Sequence, residues 1–263
     1  MSSGWAQHGK PHRPAPKEEP PPQDSEEQRS PAPAVQVDLD DFLLRAFPEK
    51  AWYELGKKAP WLSPMVYRRI KRLMDLSLCA GLLVVVLPIL VLCAIAIKLD
   101  SRGPVWFFQA RTGKGGRRFR MYKLRTMVEN AEELKTKYMH LNELSYPDFK
   151  ISNDPRITRV GCFLRKTSLD ELPQIFNVLR GEMSLVGPRP TSFSASTYSL
   201  WHTARLAVKP GLTGLWQVSG RNELDFDDRL RLDIAYMRNR CLWLDVQILL
   251  RTFGCVMSGR GAN

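Results

Sequence analysis

The sequence predicts an α+β fold that is mainly helical: a membrane-associated, monotopic domain with a proline-kinked re-entrant helix and a short β-hairpin. An uncharged apolar run extends from Leu76 to Ile97, with Pro88 near its middle, and such a run is long enough to cross a bilayer. Short apolar segments then flank a Gly-rich turn at 113–116, as in a hairpin. Near the carboxyl end, apolar residues recur at helical spacing.

Composition limits the classes of function. The chain of 263 residues can form one sizeable core, and 39 Lys and Arg against 27 Asp and Glu give a formal net charge of +12. This excess predicts anionic partners: nucleic acid, a membrane surface or phosphorylated substrates. The sequence carries no RRM, helix-turn-helix or zinc signature, so no nucleic acid partner is expected. The five cysteines form no C-x-x-C pair and indicate free thiols in a reducing compartment.

The first 65 residues differ from the rest in composition. Residues 1–34 are Pro-rich and charged, with too little apolar surface to offset the entropy of ordering, so disorder is predicted. The lack of an early apolar run argues against a signal peptide. Residues 35–65 mix aromatic and charged side chains, and two interpretations stay open: an amphipathic segment and a partly ordered linker. The main domain is expected over residues 66–263.

The apolar run is predicted to form a re-entrant helix over about residues 70–98. Lys and Arg flank it on both sides, and positive charge favours the cytoplasmic face, which a straight span cannot satisfy at both ends. Pro88 deletes one backbone hydrogen bond and kinks a helix. A helix that enters, bends and leaves on one face satisfies all three facts. A conventional transmembrane span is the alternative.

Two short strands are predicted after this run, around Val105–Phe107 and Phe119–Met121. The turn between them lacks the spacing of a P-loop and is interpreted as a basic hairpin turn near anionic headgroups. Lys123 and Arg125 stand two positions apart, so both are expected on one face of a strand. They are candidate substrate-binding residues, and a solvated basic face is the alternative.

Helices are predicted in three later stretches. One covers Glu129–Leu144 and carries no assigned chemistry. Residues 191–207 are polar and at best helical. From Asp225 onwards, two amphipathic helices are expected, whose aromatic and basic residues fit a membrane interface.

The stretch from Thr167 to Pro190 reads T-S-L-D-E-L-P-Q-I-F-N-V-L-R-G-E-M-S-L-V-G-P-R-P. Asp170 and Glu171 stand directly before an apolar helical pattern that is predicted to end at Gly181. Adjacent carboxylates can hold a hard cation such as Mg²⁺, which keeps substrate phosphates as ligands, or one can attack phosphorus. Spacing alone also fits a structural role, because Ser168-x-x-Glu171 has the pattern of a capping box. The residues by themselves leave both interpretations open.

This stretch resembles the signature of the bacterial sugar transferase family, the monotopic polyprenyl-phosphate phosphoglycosyl transferases. The resemblance begins near Val66. It implies that Asp170 is the nucleophile, that Glu171 helps to hold Mg²⁺ and that Arg165 meets phosphate. It also implies a broken re-entrant membrane helix. Leu87 departs from the family, in which Ser often precedes the kink proline.

The resemblance extends to residues expected to bind a donor. Pro188, Arg189 and Pro190 form a restricted turn, whose guanidinium fork suits a nucleotide or diphosphate. The Gly-punctuated block 209–222 is similar to a second block of the family and is expected to wall the sugar-nucleotide pocket. Arg221 in that block is a further substrate-binding candidate.

The activity implied by the resemblance is transfer of a sugar-1-phosphate from a UDP-sugar to polyprenyl phosphate, through a covalent phosphosugar on Asp170. Glucose or galactose is the expected sugar, and the step would initiate polysaccharide or glycoconjugate synthesis. The expected location is the bacterial inner membrane, with the catalytic domain facing the cytoplasm. Membrane lipids are expected partners, Mg²⁺ is the expected cofactor, and a homodimer is left open. A nonenzymatic membrane scaffold with a true span is the alternative.

Overall fold

The computed structural model describes residues 62–143, 151, 153–192, 200–219 and 226–257. The predictions for residues 1–34 and for most of 35–65 lie outside this part of the chain. The elements are, in order, α1 (Pro64–Asp100), β1 (Trp106–Thr112), β2 (Arg118–Leu124), α2 (Ala131–Lys137), α3 (Arg159–Lys166), α4 (Gln174–Arg180), β3 (Ser184–Val186), β4 (Gly211–Thr213), α5 (Leu215–Ser219), α6 (Phe226–Asn239) and α7 (Leu242–Met257). The mainly helical α+β class predicted from the sequence is therefore confirmed.

Helix α1 contains the predicted membrane segment and is longer than expected at both ends, with 37 residues. It begins after Ser63, whose hydroxyl accepts from the Val66 N–H. The helix continues through Pro88 without a break, so it is one element and not two. Its length and apolar composition suffice to cross a membrane. The re-entrant path stays a prediction.

One narrow stripe of α1 packs against the rest of the protein. Its buried apolar residues are Tyr67, Cys79, Val86, Leu90, Cys93 and Ile97. Only 22 % of the most apolar window is buried, and Leu73, Val84, Leu92 and Leu99 are largely exposed. An apolar patch of this size marks an interaction surface or a membrane contact.

The amino-terminal part of α1 is anchored by polar contacts to the domain. Lys71 forms an ion pair with Asp245 of α7 at 3.0 Å between Nζ and Oδ2. Arg72 donates to the carbonyl oxygens of Val178 and Leu179 at the end of α4. Lys71 and Arg72 therefore join the domain to the part of α1 that lies just before the apolar run.

The carboxyl-terminal end of α1 is anchored to the same domain. Asp100 accepts a hydrogen bond from the Val160 N–H at the start of α3, at 3.0 Å. Arg125 donates to the carbonyl oxygen of Ser101 at 3.0 Å and to that of Arg102. Both ends of the apolar run therefore contact one folded unit.

The predicted hairpin is confirmed. Strands β1 and β2 pair antiparallel from Trp106 opposite Leu124 to Thr112 opposite Arg118. A 3₁₀ turn at Lys114–Gly116 joins them, with Gly115 at φ 66°, a left-handed conformation that glycine adopts without strain.

A second, parallel pair was not predicted. Strand β3 pairs with β4 through Ser184 opposite Gly211 and Val186 opposite Thr213. A side chain at position 211 would place its Cβ only 2.1 Å from the Gly187 backbone nitrogen, so the close approach of the two strands requires glycine. Three-residue strands carry too little sequence periodicity to be recognised in advance.

The predicted helix Glu129–Leu144 is shorter in the structure. Helix α2 ends at Lys137, and a 3₁₀ turn covers Met139–Leu141. No residue of α2 is buried, so it lacks the packing that stabilises longer helices. The two predicted carboxyl-terminal amphipathic helices are confirmed as α6 and α7.

Candidate active site

The carboxylate pair lies in a 3₁₀ turn, Leu169–Glu171, between α3 and α4. The predicted capping box is wrong: Ser168 makes no capping hydrogen bond, and its backbone is left-handed, with φ 57°. Helix α4 begins only at Gln174 and ends, as predicted, at Gly181. Helix capping therefore does not account for the positions of Asp170 and Glu171.

The Asp170 carboxylate is nearly buried and uncommitted. Its nearest cation is the Lys123 ammonium, with 4.0 Å between Nζ and Oδ2. Within the described part of the chain, no group hydrogen-bonds it. Burial raises the pKa of Asp170, and the nearby Lys123 ammonium opposes that shift. A carboxylate with free oxygens in such a setting is available to a ligand.

Glu171 is committed to two cations. Its Oε1 accepts from Lys123 Nζ at 2.8 Å and from Arg189 Nη2 at 2.5 Å, while Oε2 accepts from Arg189 Nη1 at 3.2 Å. Burial alone would raise the pKa of Glu171, but Arg189 and Lys123 hold it well below its usual range. The neighbouring carboxylates thus have opposite environments, because one is tied down and the other is free.

Arg165 lies near Asp170, and its contact with phosphate, which the family resemblance implies, stays a prediction. Its Nε donates to the Thr126 hydroxyl at 2.9 Å. Burial lowers the pKa of Arg165, and the nearby Asp170 carboxylate counteracts this. With Lys123 and Arg189, Arg165 gives the pocket around Asp170 three cations, a setting suited to phosphate.

Arg125 does not join this group. Strand β2 ends at Leu124, and the Arg125 side chain turns to the carbonyl oxygens that follow α1. The prediction that Lys123 and Arg125 act together on one strand face is wrong in this respect. The Arg125 side chain is buried, and its observed contacts are structural.

Asn177 of α4 fixes the strand that carries Lys123. Its Oδ1 accepts from the Tyr122 N–H at 3.0 Å, and its Nδ2 donates at 2.7 Å to both the Arg120 carbonyl and the Glu182 carboxylate. The amide therefore pairs with the free edge of β2 as a neighbouring strand would. Lys123 is adjacent to these contacts in the chain, so Asn177 positions it.

The pair is built directly on helix α1. Leu169 and Leu172, on either side of the two carboxylates, pack in one apolar cluster with Val86, Leu90 and Ile97 of α1. The turn that carries the two carboxylates therefore contacts the carboxyl-terminal half of the apolar helix. The first three residues of β1 are exposed aromatics near that end of α1: Trp106, Phe107 and Phe108.

A cleft lies next to the Pro-Arg-Pro turn. It is small, with a cavity volume of about 10 Å³, and it is open to solvent. The residues that line it are Thr112, Gly113, Pro188, Arg189, Pro190, Thr191, Arg205, Leu206, Val208 and Pro210. Pro210 and Val208 fall in or next to the block expected to wall a pocket. Arg221, the remaining candidate of that block, lies outside the described residues.

Sequence reasoning missed four residues of this region: Thr126, Asn177, Arg205 and Asp233. Asn177 stands within the stretch that resembles the family, but the sequence does not reveal that its amide holds strand β2. Arg205 and Asp233 form an ion pair at 2.6 Å between Nη2 and Oδ2. They are 28 positions apart and belong to no short motif, so no local pattern signals their contact.

The free carboxylate oxygens of Asp170 suit a hard cation that takes few of its ligands from the protein. No cluster of three or more His, Cys, Asp or Glu residues occurs among the described residues. The free Asp170 oxygens can bind a divalent ion, whose remaining ligands would be substrate phosphates and water, as is common for Mg²⁺. The Glu171 oxygens already accept from cations, so Asp170 suits the cation better than Glu171 does.

Comparison with known proteins decides the family. The family model described as "Bacterial sugar transferase" matches residues 66–259 of the chain. The chain belongs to the bacterial sugar transferase family. The chain is 42 % identical over 200 residues to the UDP-galactose-lipid carrier transferase of Erwinia amylovora. It is 43 % identical over 200 residues to the undecaprenyl-phosphate galactose phosphotransferase of Salmonella typhimurium. Each alignment covers 74 % of the chain and 42 % of the relative.

A shorter relative is matched over most of its length. The chain is 38 % identical over 197 residues to the exopolysaccharide production protein ExoY of Rhizobium meliloti, and the alignment covers 73 % of the chain and 87 % of the relative. The matched region of the chain therefore spans less than half of the two longer relatives but nearly all of this one.

Proposed function

We propose that this protein transfers a sugar-1-phosphate from a UDP-sugar to polyprenyl phosphate at the cytoplasmic face of a bacterial inner membrane. The observation that carries the proposal is the free, nearly buried Asp170 carboxylate, surrounded by cations and seated on an apolar helix with an exposed face. Relatives named for UDP-galactose and for undecaprenyl phosphate support the same donor and acceptor classes.

In the first step, an Asp170 oxygen attacks the phosphorus that carries the sugar. A bond from Asp170 to phosphorus forms, the bond to the bridging oxygen breaks, and UMP leaves with that oxygen. Arg189 and Lys123 hold Glu171 and remain beside the diphosphate, where they stabilise developing charge. Burial helps the step, because an uncommitted carboxylate in a site that excludes water is a stronger nucleophile than a solvated one.

In the second step, an oxygen of polyprenyl phosphate attacks the same phosphorus and releases Asp170. The product is a polyprenyl diphosphate sugar. Packing of Leu169 and Leu172 on α1 places the reactive turn close to the exposed apolar face of the helix. This arrangement suits an acceptor whose phosphate lies at the interface while its chain lies in lipid.

Mg²⁺ is proposed as the cofactor. Asp170 would be one ligand, and Glu171, the metal ligand that the family resemblance implies, would be a second if it exchanged a contact with Lys123 or Arg189. When bound, Mg²⁺ would neutralise phosphate charge and orient the leaving group. Arg165 and Lys123 are the protein cations that complete this environment. The identity of the sugar is proposed to be glucose or galactose, in agreement with relatives named for galactose and for glucose transfer.

The topology proposed for α1 is re-entrant, with both ends at the cytoplasmic face. It is supported by the polar contacts that join Lys71 and Arg72 at one end, and Asp100 at the other, to a single folded unit. A helix that crossed the bilayer would have to separate those two sets of contacts by the thickness of the membrane.

The test is an assay of purified protein with labelled UDP-sugars. With Mg²⁺ and polyprenyl phosphate, UMP should be released from at least one of UDP-glucose and UDP-galactose. Without acceptor, the label should remain on a peptide that contains Asp170. Absence of metal-dependent UMP release from a panel of UDP-sugars would contradict the proposal and favour a nonenzymatic membrane protein.

A further inference from the structure

Three cations gather where the start of α1 meets the end of α4, and we call Lys209, Arg72 and Lys114 the Lys209 cluster. A Cβ atom at Gly181, the residue that ends α4, would lie 3.3 Å from the Lys209 ammonium nitrogen and 3.4 Å from Arg72 Nη2. Lys114, in the turn of the β1–β2 hairpin, lies near enough to Lys209 to act on its pKa. Since two of the cations stand beside one point, a single phosphate group placed there can contact both.

The Lys209 ammonium is available to a ligand, because no described residue accepts a hydrogen bond from it or forms an ion pair with it. Burial lowers the pKa of Lys209, and the nearby Arg72 and Lys114 lower it further. The Asp75 carboxylate opposes this shift, but its two oxygens already accept from a hydroxyl and an N–H of β3. Three cations therefore face one carboxylate, and the surplus of positive charge suits an anion.

The position of Arg72 along α1 places the cluster at the depth of lipid headgroups. The uncharged apolar run begins at Leu76, four residues later, which is about 6 Å along a helix. Leu73, next to Arg72, is 68 % exposed, so apolar surface faces outward beside the cations. The headgroup layer lies directly outside the hydrocarbon core of a bilayer. This depth is the same whether α1 is re-entrant or spans the membrane.

The Lys209 cluster is separate from the reaction centre. Asp170 lies before the first residue of α4 and Gly181 lies after its last residue, so a helix about 10 Å long stands between them. Arg72 donates to the carbonyl oxygens of Val178 and Leu179 at the end of α4, which fixes its guanidinium beside Gly181. A phosphate held by the cluster is therefore one helix length away from Asp170.

We propose that Lys209, Arg72 and Lys114 form a binding site for the phosphate of an anionic membrane phospholipid. A headgroup with net negative charge complements the surplus of cations, whereas a zwitterionic headgroup brings a cation of its own. The acyl chains would lie along the exposed apolar face of α1 that begins at Leu73. The inference does not depend on the proposed function, because it uses only the charges at this junction and the apolar run of α1.

Binding of short-chain phospholipids to the full chain in detergent tests the site. The wild type should bind dioctanoylphosphatidylglycerol, which is anionic, about fivefold more tightly than zwitterionic dioctanoylphosphatidylcholine. Lys209→Gln should lower the affinity for the anionic lipid about fivefold, the size expected for one cation at a membrane surface, and leave the other affinity unchanged. Lys137→Gln removes an exposed cation from α2 and is the matched control. Equal affinity of Lys209→Gln and this control for the anionic lipid would overturn the proposal.

A second variant covers the case in which Lys209→Gln does not fold. Lys114 is exposed on the hairpin turn, so Lys114→Gln removes a cation of the cluster without changing the packing. It should weaken binding of the anionic lipid by about two- to fivefold and leave binding of the zwitterionic lipid as in the wild type. Unchanged binding of the anionic lipid by Lys114→Gln would contradict the site.

Two further probes identify the source of the phosphate. Inorganic phosphate at the same concentration should not displace the anionic lipid, because it has no acyl chains to bury against α1. If it bound equally well and lost affinity in Lys209→Gln, the cluster would hold free phosphate and the lipid assignment would fail. The assignment would also fail if a short-chain polyprenyl phosphate, and not phosphatidylglycerol, lost affinity in that variant. Wild-type protein that binds phosphatidylglycerol through Lys209 without releasing UMP from a donor would contradict the proposed function alone.

Discussion

Arg189 contacts both carboxylate oxygens of Glu171, with 2.5 Å from Nη2 to Oε1 and 3.2 Å from Nη1 to Oε2. The contact joins the Pro-Arg-Pro turn to the carboxylate pair across 18 positions of the chain. Lys123 meets the same Glu171 at 2.8 Å, so two cations and two carboxylates from three elements form one unit. Glu171 is thereby a positioning residue for both cations, and Asp170 is left free to react.

Arg189→Lys is expected to impair the proposed transfer even though it keeps the charge. A lysine ammonium cannot reproduce the two-pronged contact with Glu171, so both Glu171 and the diphosphate would lose alignment. We expect kcat/KM to fall by about tenfold or more. Steady-state UMP release measures this change. Arg251→Lys on the exposed face of α7 is the control. If kcat/KM were the same in both variants, the Pro-Arg-Pro turn would have only a structural role.

Asp170→Asn should remove turnover by at least about a thousandfold, because it deletes the nucleophile. The fold should survive, since no described residue hydrogen-bonds the Asp170 carboxylate. Labelled UDP-sugar without acceptor should mark the wild type and leave this variant unmarked. Glu171→Gln should also be impaired, through loss of its ion pairs with Lys123 and Arg189. Label retained by Asp170→Asn would place the covalent intermediate on another residue.

Lys123→Met should move the acid limb of the pH profile of kcat/KM to higher pH. Asp170 must be ionised to attack, and burial already raises its pKa while Lys123 opposes that rise. Removing the ammonium therefore raises the pKa further, so activity is lost earlier as the pH falls. Lys123→Arg keeps a cation and should leave the limb near its original position. If the acid limb of the pH profile were the same in Lys123→Met and in the wild type, the Lys123 ammonium would not act on Asp170.

Asn177→Leu should lower the free energy of unfolding by about 3 kcal/mol, because the buried Asn177 amide loses three hydrogen bonds and the edge of β2 is left unsatisfied. Turnover of the surviving folded protein should also fall, since Lys123 follows directly after the strand residues that Asn177 holds. Chemical denaturation in detergent measures the first effect. Asn130→Leu is the control: Asn130 is exposed and makes no capping bond, so little change is expected.

The topology of α1 can be measured with single cysteines in a cysteine-free background. Cysteines at Ser63 and at Arg102, just outside the two ends of the helix, should both be shielded from an impermeant thiol reagent applied outside the cell. The physical reason is that both ends contact one domain. Labelling of either position from outside would restore a transmembrane span.

The sequence predicts the parts of this protein that depend on local pattern. The apolar run, the hairpin and the end of α4 at Gly181 follow from composition, alternation and a left-handed glycine. The start of α4 was not predictable, because the backbone of Ser168 turns left-handed and cancels the capping pattern. The turn that follows packs Leu169 and Leu172 on α1, a contact between distant segments that no local rule contains.

The candidate site was likewise predicted only in part from the sequence. Asp170, Glu171, Lys123 and Arg189 were expected and lie together. Arg125 was expected with them, yet it binds the end of α1, because β2 ends one residue earlier and the alternation of a strand no longer applies. Contacts between distant segments, such as the pair of Arg205 with Asp233, depend on tertiary structure that spacing cannot reveal.

The buried stripe of α1 also constrains the order of events during synthesis. Helix α1 leaves the ribosome before every other described element, but its partners follow much later: Asp75 is bonded to Ser184, 109 positions on. Until Ser184 is made, the Asp75 carboxylate needs water or lipid headgroups as a partner, since a buried charge without one is strongly unfavourable. The buried stripe of α1 is therefore completed only after Ser184 has been made, when the later elements dock onto the helix and cover this carboxylate.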